Sequence, residues 1–236
     1  MTMERWIQGQ QAKGNTRAVE DGRRILAEHG DIPLTFVTAP VENQTAGPEV
    51  ILSPLSPETE RLVEQMRRDG YAVYETVGKT PEGVKREGMK FWDLDPRLIG
   101  LSAAPALLAF KKDPSVFFLP GTMNIPHDKQ VELISAEQVR VDSAYSGVGL
   151  VVREGKLPEW IELAWKHFKT TRVRPFGKDY GYNFTWTDTY ENNEPGADRA
   201  VFGYWVEAVG ADALLWKSGN VNPNLRLALL VEIPRK

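Results

Sequence analysis

Residues 180–233 read YGYNFTWTDTYENNEPGADRAVFGYWVEAVGADALLWKSGNVNPNLRLALLVEI, and no helical period runs through them. Short runs rich in β-branched and aromatic residues, Tyr182 to Trp186, Ala200 to Val209, Ala213 to Trp216 and Leu225 to Ile233, are separated by Gly, Asn, Asp and Pro clusters. Runs of that length with turn residues between them are strands. In 200–209 one alternate face carries Phe202, Tyr204 and Val206 and the other Val201, Trp205 and Val209. Both faces are apolar, so this strand belongs in the middle of a sheet.

Upstream the period changes. Pro158 opens a segment with Ile161, Ala164, Trp165 and Phe168 at helical spacing, preceded by a Glu154-Gly155 turn. Apolar residues at i, i+3, i+4 and i+7 make an amphipathic helix. Leu150 to Arg153 reads as a strand, after the turn Ser146-Gly147-Val148-Gly149. Val139 to Tyr145 alternates as a strand would, Asp128 to Gln138 reads as a helix, and Val116 to Leu119 as a buried strand ahead of Pro120-Gly121. Farther back, Ser56 is an N-cap with Pro57 at the first helical position, Glu58 and Glu60 at the positive end of the dipole, and Leu62, Val63 and Met66 as the apolar face. Gly70 ends that helix, Tyr71 to Val77 is a strand, and Thr80-Pro81-Glu82 opens a second short helix. Thr16 to His29 reads as a helix, Leu34 to Thr38 as a strand, 39–48 as a loop and 1–15 as an unpatterned arm. Helices gather toward the front and strands toward the end, which defines an α+β class rather than a doubly wound sheet. Breaks at Asp95-Pro96 and Ala104-Pro105 suggest a division into an N-terminal helix and strand region, 1–104, and a C-terminal module, 105–236, one compact unit being the alternative.

Composition narrows the function. The 236 residues carry 29 Lys+Arg against 32 Asp+Glu, a net charge of −3. A slightly acidic chain gains little from counterion release, which argues against a nucleic-acid partner. With no cysteine there is no thiolate nucleophile and no Cys-held metal. No apolar run approaches the ~20 residues that span a bilayer, and the N-terminus shows no apolar signal core. A cytoplasmic protein without membrane contact or cofactor is expected.

Most catalytic motifs fail on spacing. Gly78-Lys79-Thr80 resembles the end of a phosphate-binding loop, but Val73 stands where its first glycine is required. Gly147-x-Gly149 lacks the third glycine of a dinucleotide fingerprint and reads as a turn between strands. His29, His127 and His167 fall in different segments, and His167 reads as a surface residue near a helix end. Asp93-x-Asp95 has the oxygen donors a divalent cation prefers, yet paired acids before Pro96 equally make a solvated turn. Lys166, Lys169, Arg172, Arg174 and Lys178, interleaved with Phe168 and Phe176, would suit phosphates locally.

The dense Trp, Tyr and Asn between Tyr180 and Asn224 combine rigid amphipathic area with adaptable hydrogen bonding, the composition of a recognition loop. The pattern WTDTY, AVFGYWVEA, ALLWKSGNVN, LRLALLVEIP over residues 186–234 resembles the end of C-type-lectin-like domains of the formylglycine-generating type. It is similar in particular to variable ligand-binding proteins diversified by retroelements. The resemblance implies a framework at Trp186-Thr187 and Leu225 to Val231, and a ligand face at Tyr190, Asn192, Asn193, Trp205, Glu207, Trp216, Asn220 and Asn222. It departs from the family in two ways. Formylglycine-generating catalysis uses cysteines, which are absent, and Glu194-Pro195 is followed by Gly196 and Trp216 by Lys217-Ser218, unlike calcium-dependent sugar lectins. The expectation is a non-enzymatic binding protein that offers this loop surface to a protein or other ligand. The alternative is an enzyme using Asp93, Asp95 or Glu162 with His167 or His127 between the two halves.

Overall fold

The computed structural model describes residues 54–191, 198–217, 219 and 222–235, all within the second of the two units into which the chain divides, Val50–Lys236. The expected helix at Thr16 to His29 and strand at Leu34 to Thr38 lie outside the described residues.

The first helix, α1 (Pro57–Arg68), has the ends its sequence calls for. Ser56 accepts from the Thr59 amide, acids stand in the first turn and Arg67 and Arg68 in the last, and Leu62, Val63 and Met66 are buried. Gly70, at φ +86°, turns the chain into β1 (Tyr71–Thr76). There follow α2 (Pro81–Arg86), capped by Thr80, β2 (Phe91–Leu94), β3 (Ala106–Lys111), a short α3 (Pro114–Phe117), α4 (His127–Glu132), α5 (Ile134–Ala144), β4 (Val151–Glu154) and the long α6 (Leu157–Thr171). The remainder is β5 (Phe184–Tyr190), β6 (Arg199–Val206), β7 (Gly210–Trp216), β8 (Leu225–Arg226) and β9 (Leu229–Ile233).

The strands form two sheets. One is antiparallel, in the order β1-β3-β9-β4, and the other mixed, β2-β7-β6-β5-β8, with β2 and β8 parallel to their neighbours. The class is α+β. Strand β6 lies third of five, as its two apolar faces require. Strands on either side of the expected 104/105 division pair directly, Tyr71 opposite Lys111 and Thr76 opposite Ala106. The last strand, β9, lies between β3 and β4, so the C-terminal segment runs inside the sheet that contains β1.

Helix α6 packs between the two sheets. Trp160, Ile161, Leu163 and Ala164 share one core with Ala72, Leu108 and Phe110 of the first sheet and with Ala200, Phe202 and Ala213 of the second. Each large apolar side chain so buried contributes about 1.5–3 kcal/mol. The opposite face of the first sheet packs on α1 and α5 through Val63, Met66, Val73, Ala109, Val141 and Val231.

Three local expectations change. Val116 to Leu119 is not a strand: Asp113 caps the short α3, and only Phe118 bridges to Ala228. Val139 to Tyr145 is helical, within α5. The Val-Arg-Val alternation there looked like a strand, but the surrounding Ala, Glu and Gln favour helix and only Val141 is buried. Consequently Gly147-x-Gly149 joins a helix to a strand. His167 is buried rather than on the surface, because α6 is covered on both sides; its ring lies 2.9 Å from the Tyr74 hydroxyl. Burial pushes its pKa down to about 4 and keeps the ring neutral at pH 7.

Glu162, also on α6 and buried, accepts from three consecutive amides, Val77 at 2.9 Å, Gly78 at 3.1 Å and Lys79 at 3.0 Å, and pairs with Lys166 at 2.9 Å. The loop that resembled a phosphate cradle therefore does hold an anion, supplied by the chain itself. Gly78 has φ +80°, and a Cβ there would lie 2.5 Å from the Ala103 carbonyl oxygen, so the turn requires glycine. Replacing the carboxylate by an amide, Glu162→Gln, turns donors against donors; urea denaturation should show a loss of about 2–3 kcal/mol.

Candidate functional site

A helix laid on a sheet ordinarily presents an apolar stripe to it. Helix α5 does so only in part. Val141 and Ile134 reach the core, but Glu137 and Arg140 border a cavity of about 400 Å³. Its floor is apolar, made by Val152 of β4 and by Leu229 and Val231 of β9, with Phe117 and Leu119 closing one side. Val116, at the rim, is 49% exposed. The polar groups come from paired positions on β1 and β3, Tyr71 and Lys111, and from the helix.

These groups interact with one another. Arg140 binds Glu137 through Nε at 2.8 Å and Nη2 at 2.5 Å, and Nη2 also donates to the Tyr71 hydroxyl at 3.3 Å. Its Nη1 has no partner among the described residues. Lys111 Nζ lies 3.7 Å from the centre of the Tyr71 ring and donates to the Asp69 carbonyl at 3.1 Å. Burial, and then the Arg140 charge, push the Lys111 amine below its usual value. Burial raises the Tyr71 phenol, and burial with the Asp69 carboxylate beside it raises that of Tyr145. Two cations and a phenol thus stand at one end of an apolar hollow, an arrangement suited to a ligand with one polar end.

The residues expected to form a loop face are dispersed. Asn192, Asn193 and Asn220 lie outside the described residues. Tyr190 is half-buried, with its hydroxyl bonded to Arg199. Trp216 is half-buried against Phe184, ring centres 5.3 Å apart. Asn222 turns inward on its own loop, accepting from the Asn224 amide at 2.8 Å. Glu207 is exposed and 3.5 Å from Arg174. Trp205, expected on the ligand face, is buried, and the cause is a bulge. Register shifts between Gly203 and Val206, where Gly203 has φ +152° and Tyr204 φ +48°. The extra residue inverts the alternation, so Tyr204 joins Val201 on the outer face while Trp205 turns inward with Phe202. A Cβ on Gly203 would come within 2.4 Å of the Asn183 carbonyl oxygen, so the bulge needs glycine. Inward, Trp205 meets Phe168 at 5.4 Å.

The other chemical groups are also separated. His127 meets Glu154 and Arg199, His167 meets Tyr74, and Glu162 is occupied by the loop amides. Asp95 binds Arg97 at 2.7 Å. Among the described residues no group of three or more His, Asp or Glu is arranged to hold a metal ion. In the basic stretch Lys166, Lys169 and Arg174 pair with Glu162, Glu87 and Glu207.

Asp93 instead stands opposite Asp212 on neighbouring strands, its amide 3.2 Å from Asp212 Oδ1. Burial, then the Asp93 charge, push the Asp212 carboxyl up to about 8. The folded state therefore keeps a proton that the unfolded chain releases near pH 4, and stability falls as pH rises from there toward 8. Asp212→Asn should flatten that slope, adding nothing at pH 4 and a gain that grows to several kcal/mol at pH 8 in denaturant titrations. Trp205→Ala should cost about 3–5 kcal/mol, as for a core indole; a loss within the error of a thermal melt would return Trp205 to the surface. No protein-family model matches the chain, and no curated protein or solved structure does either.

Proposed function

We propose that the chain is a non-enzymatic binding protein that takes up a small, largely apolar molecule with an oxygen-bearing head in the cavity beside α5. The observation that carries this reading is the substitution of Glu137 and Arg140 for apolar side chains on a helix that covers a sheet. That choice forgoes packing energy and leaves about 400 Å³ of apolar-floored space, within the range of roughly 300–1,000 Å³ typical of ligand sites. The body of the ligand lies against Val152, Leu229 and Val231, and its head takes the open donor of Arg140 and the amine of Lys111. A carboxylate head gains a charge-assisted bond, about twice as strong as a neutral one. The runner-up places a protein partner on the outer face of the second sheet. It is favoured by the half-exposed rings of Tyr182, Tyr204 and Trp216, with Tyr182 and Tyr204 5.6 Å apart. No helix among the described residues is long and apolar enough to cross a membrane; a cytoplasmic location is part of the proposal, supported by the lack of cysteine.

Octanoate and octanol, titrated calorimetrically, test the cavity. Both should bind, octanoate the tighter, and Arg140→Gln should weaken octanoate about tenfold while changing octanol little. Val231→Phe, which fills the floor, should abolish both while leaving the thermal midpoint within a few degrees. Equal binding by Val231→Phe and the natural chain would overturn the reading.

A further inference from the structure

Lys111 differs from the other lysines that the fold engages. Lys79, Lys129, Lys166 and Lys169 each form an ion pair with a carboxylate, Glu87, Glu132, Glu162 and Glu87 in turn. Lys111 has no carboxylate within ion-pair distance among the described residues. Its Nζ is bonded to a backbone carbonyl, lies on the Tyr71 ring and borders an apolar cavity. The charged groups that face it are the Arg140 guanidinium, the Glu137 carboxylate bound to that guanidinium, and the Asp69 carboxylate, which accepts from Tyr145 at 2.7 Å. A lysine amine that is desolvated and set near another cation loses its proton more readily, and the neutral amine is the nucleophile.

We propose that Lys111 captures carbonyl compounds, condensing with an aldehyde or ketone whose apolar body occupies the cavity to form a reversible imine. This rests on the cavity being the binding site. The Nζ lone pair attacks the carbonyl carbon, the C=O π pair moves to oxygen, and a proton passes from nitrogen to that oxygen to give the carbinolamine. The nitrogen lone pair then expels the hydroxyl, which leaves as water with the second nitrogen proton, and the C=N bond forms. One amine and one carbonyl give one imine and one water, with no change in oxidation state, and hydrolysis returns both. Tyr71 is placed to assist: its hydroxyl accepts from Arg140, so its own proton remains to be donated to the carbonyl oxygen. Arg140 stays cationic throughout and opposes reprotonation of the amine.

The test uses octanal with sodium cyanoborohydride near pH 7, which traps the imine as a stable secondary amine, followed by peptide mass mapping. Lys111 should be alkylated faster than exposed Lys85, Lys90 and Lys156, since its lowered pKa leaves more of the amine neutral and the cavity holds the aldehyde beside it. Lys111→Met should remove that product and leave the slow background. Octanol, which fits the same space but has no carbonyl, separates the two readings. If octanol binds and Lys111 is labelled no faster than the exposed lysines, imine capture is wrong and the cavity stands. If octanol does not bind and no label appears at Lys111, both fall.

Discussion

The two sheets are tied together by one buried charge cluster. Glu154 ends β4 of the first sheet and Arg199 begins β6 of the second, and their side chains meet at 2.6 Å. His127, from the first turn of α4, joins them at 2.5 Å from Glu154, and Arg199 also reaches the Tyr190 hydroxyl at the end of β5. All three charged or ionisable partners are nearly inaccessible to water. Burying such groups costs several kcal/mol per ion unless geometry and hydrogen bonds offset it, and removing one partner alone costs more than the pair ever contributed. The cluster therefore acts as a positional constraint. It fixes the place where the first sheet gives way to α6 and where that helix passes behind the second sheet. The Asp188 amide reinforces the join by donating to the Gly155 carbonyl at 2.9 Å.

From that join the rest follows. Helix α6 runs between the sheets and is buried on nearly every side, which explains why it carries Glu159, Glu162 and His167 in the interior. Each has a dedicated partner: Arg153, the loop amides and Tyr74. With the central layer filled in this way, the apolar contacts of the first sheet's other face fall to α1 and α5. Helix α1 covers its share with Leu62, Val63 and Met66. Helix α5 does not, and the cavity is the space it leaves.

The strands of the second sheet were legible because their period and turn residues agree, and the central place of β6 followed from apolar residues on both faces. Those same two apolar faces concealed the bulge. When either face of a strand can be buried, a one-residue shift leaves no mark on the hydrophobic pattern, so Trp205 could not be oriented from the sequence. Helix α5 was cut short after Gln138 by a local coincidence of valines at 139 and 141. With the rest of the helix went the pairing of Glu137 and Arg140 one turn apart, the one signal that could have pointed to the cavity. A cavity is in any case unfilled space bounded by residues distant in the chain, Tyr71, Lys111, Arg140 and Val231, and no local spacing encodes it. His167 was misplaced because burial on both sides of α6 is a property of the assembled layers.

The turn at Gly78 has one further implication. An anion site whose guest is attached to the same chain experiences that guest at an effective concentration in the millimolar range or above. Free phosphate or nucleotide would have to displace a tethered rival already desolvated beside Lys166. Residues 77–80 should therefore keep one conformation across wide changes in salt and metabolite levels, which makes the strand-to-helix joint after β1 a fixed point of the scaffold rather than a sensor.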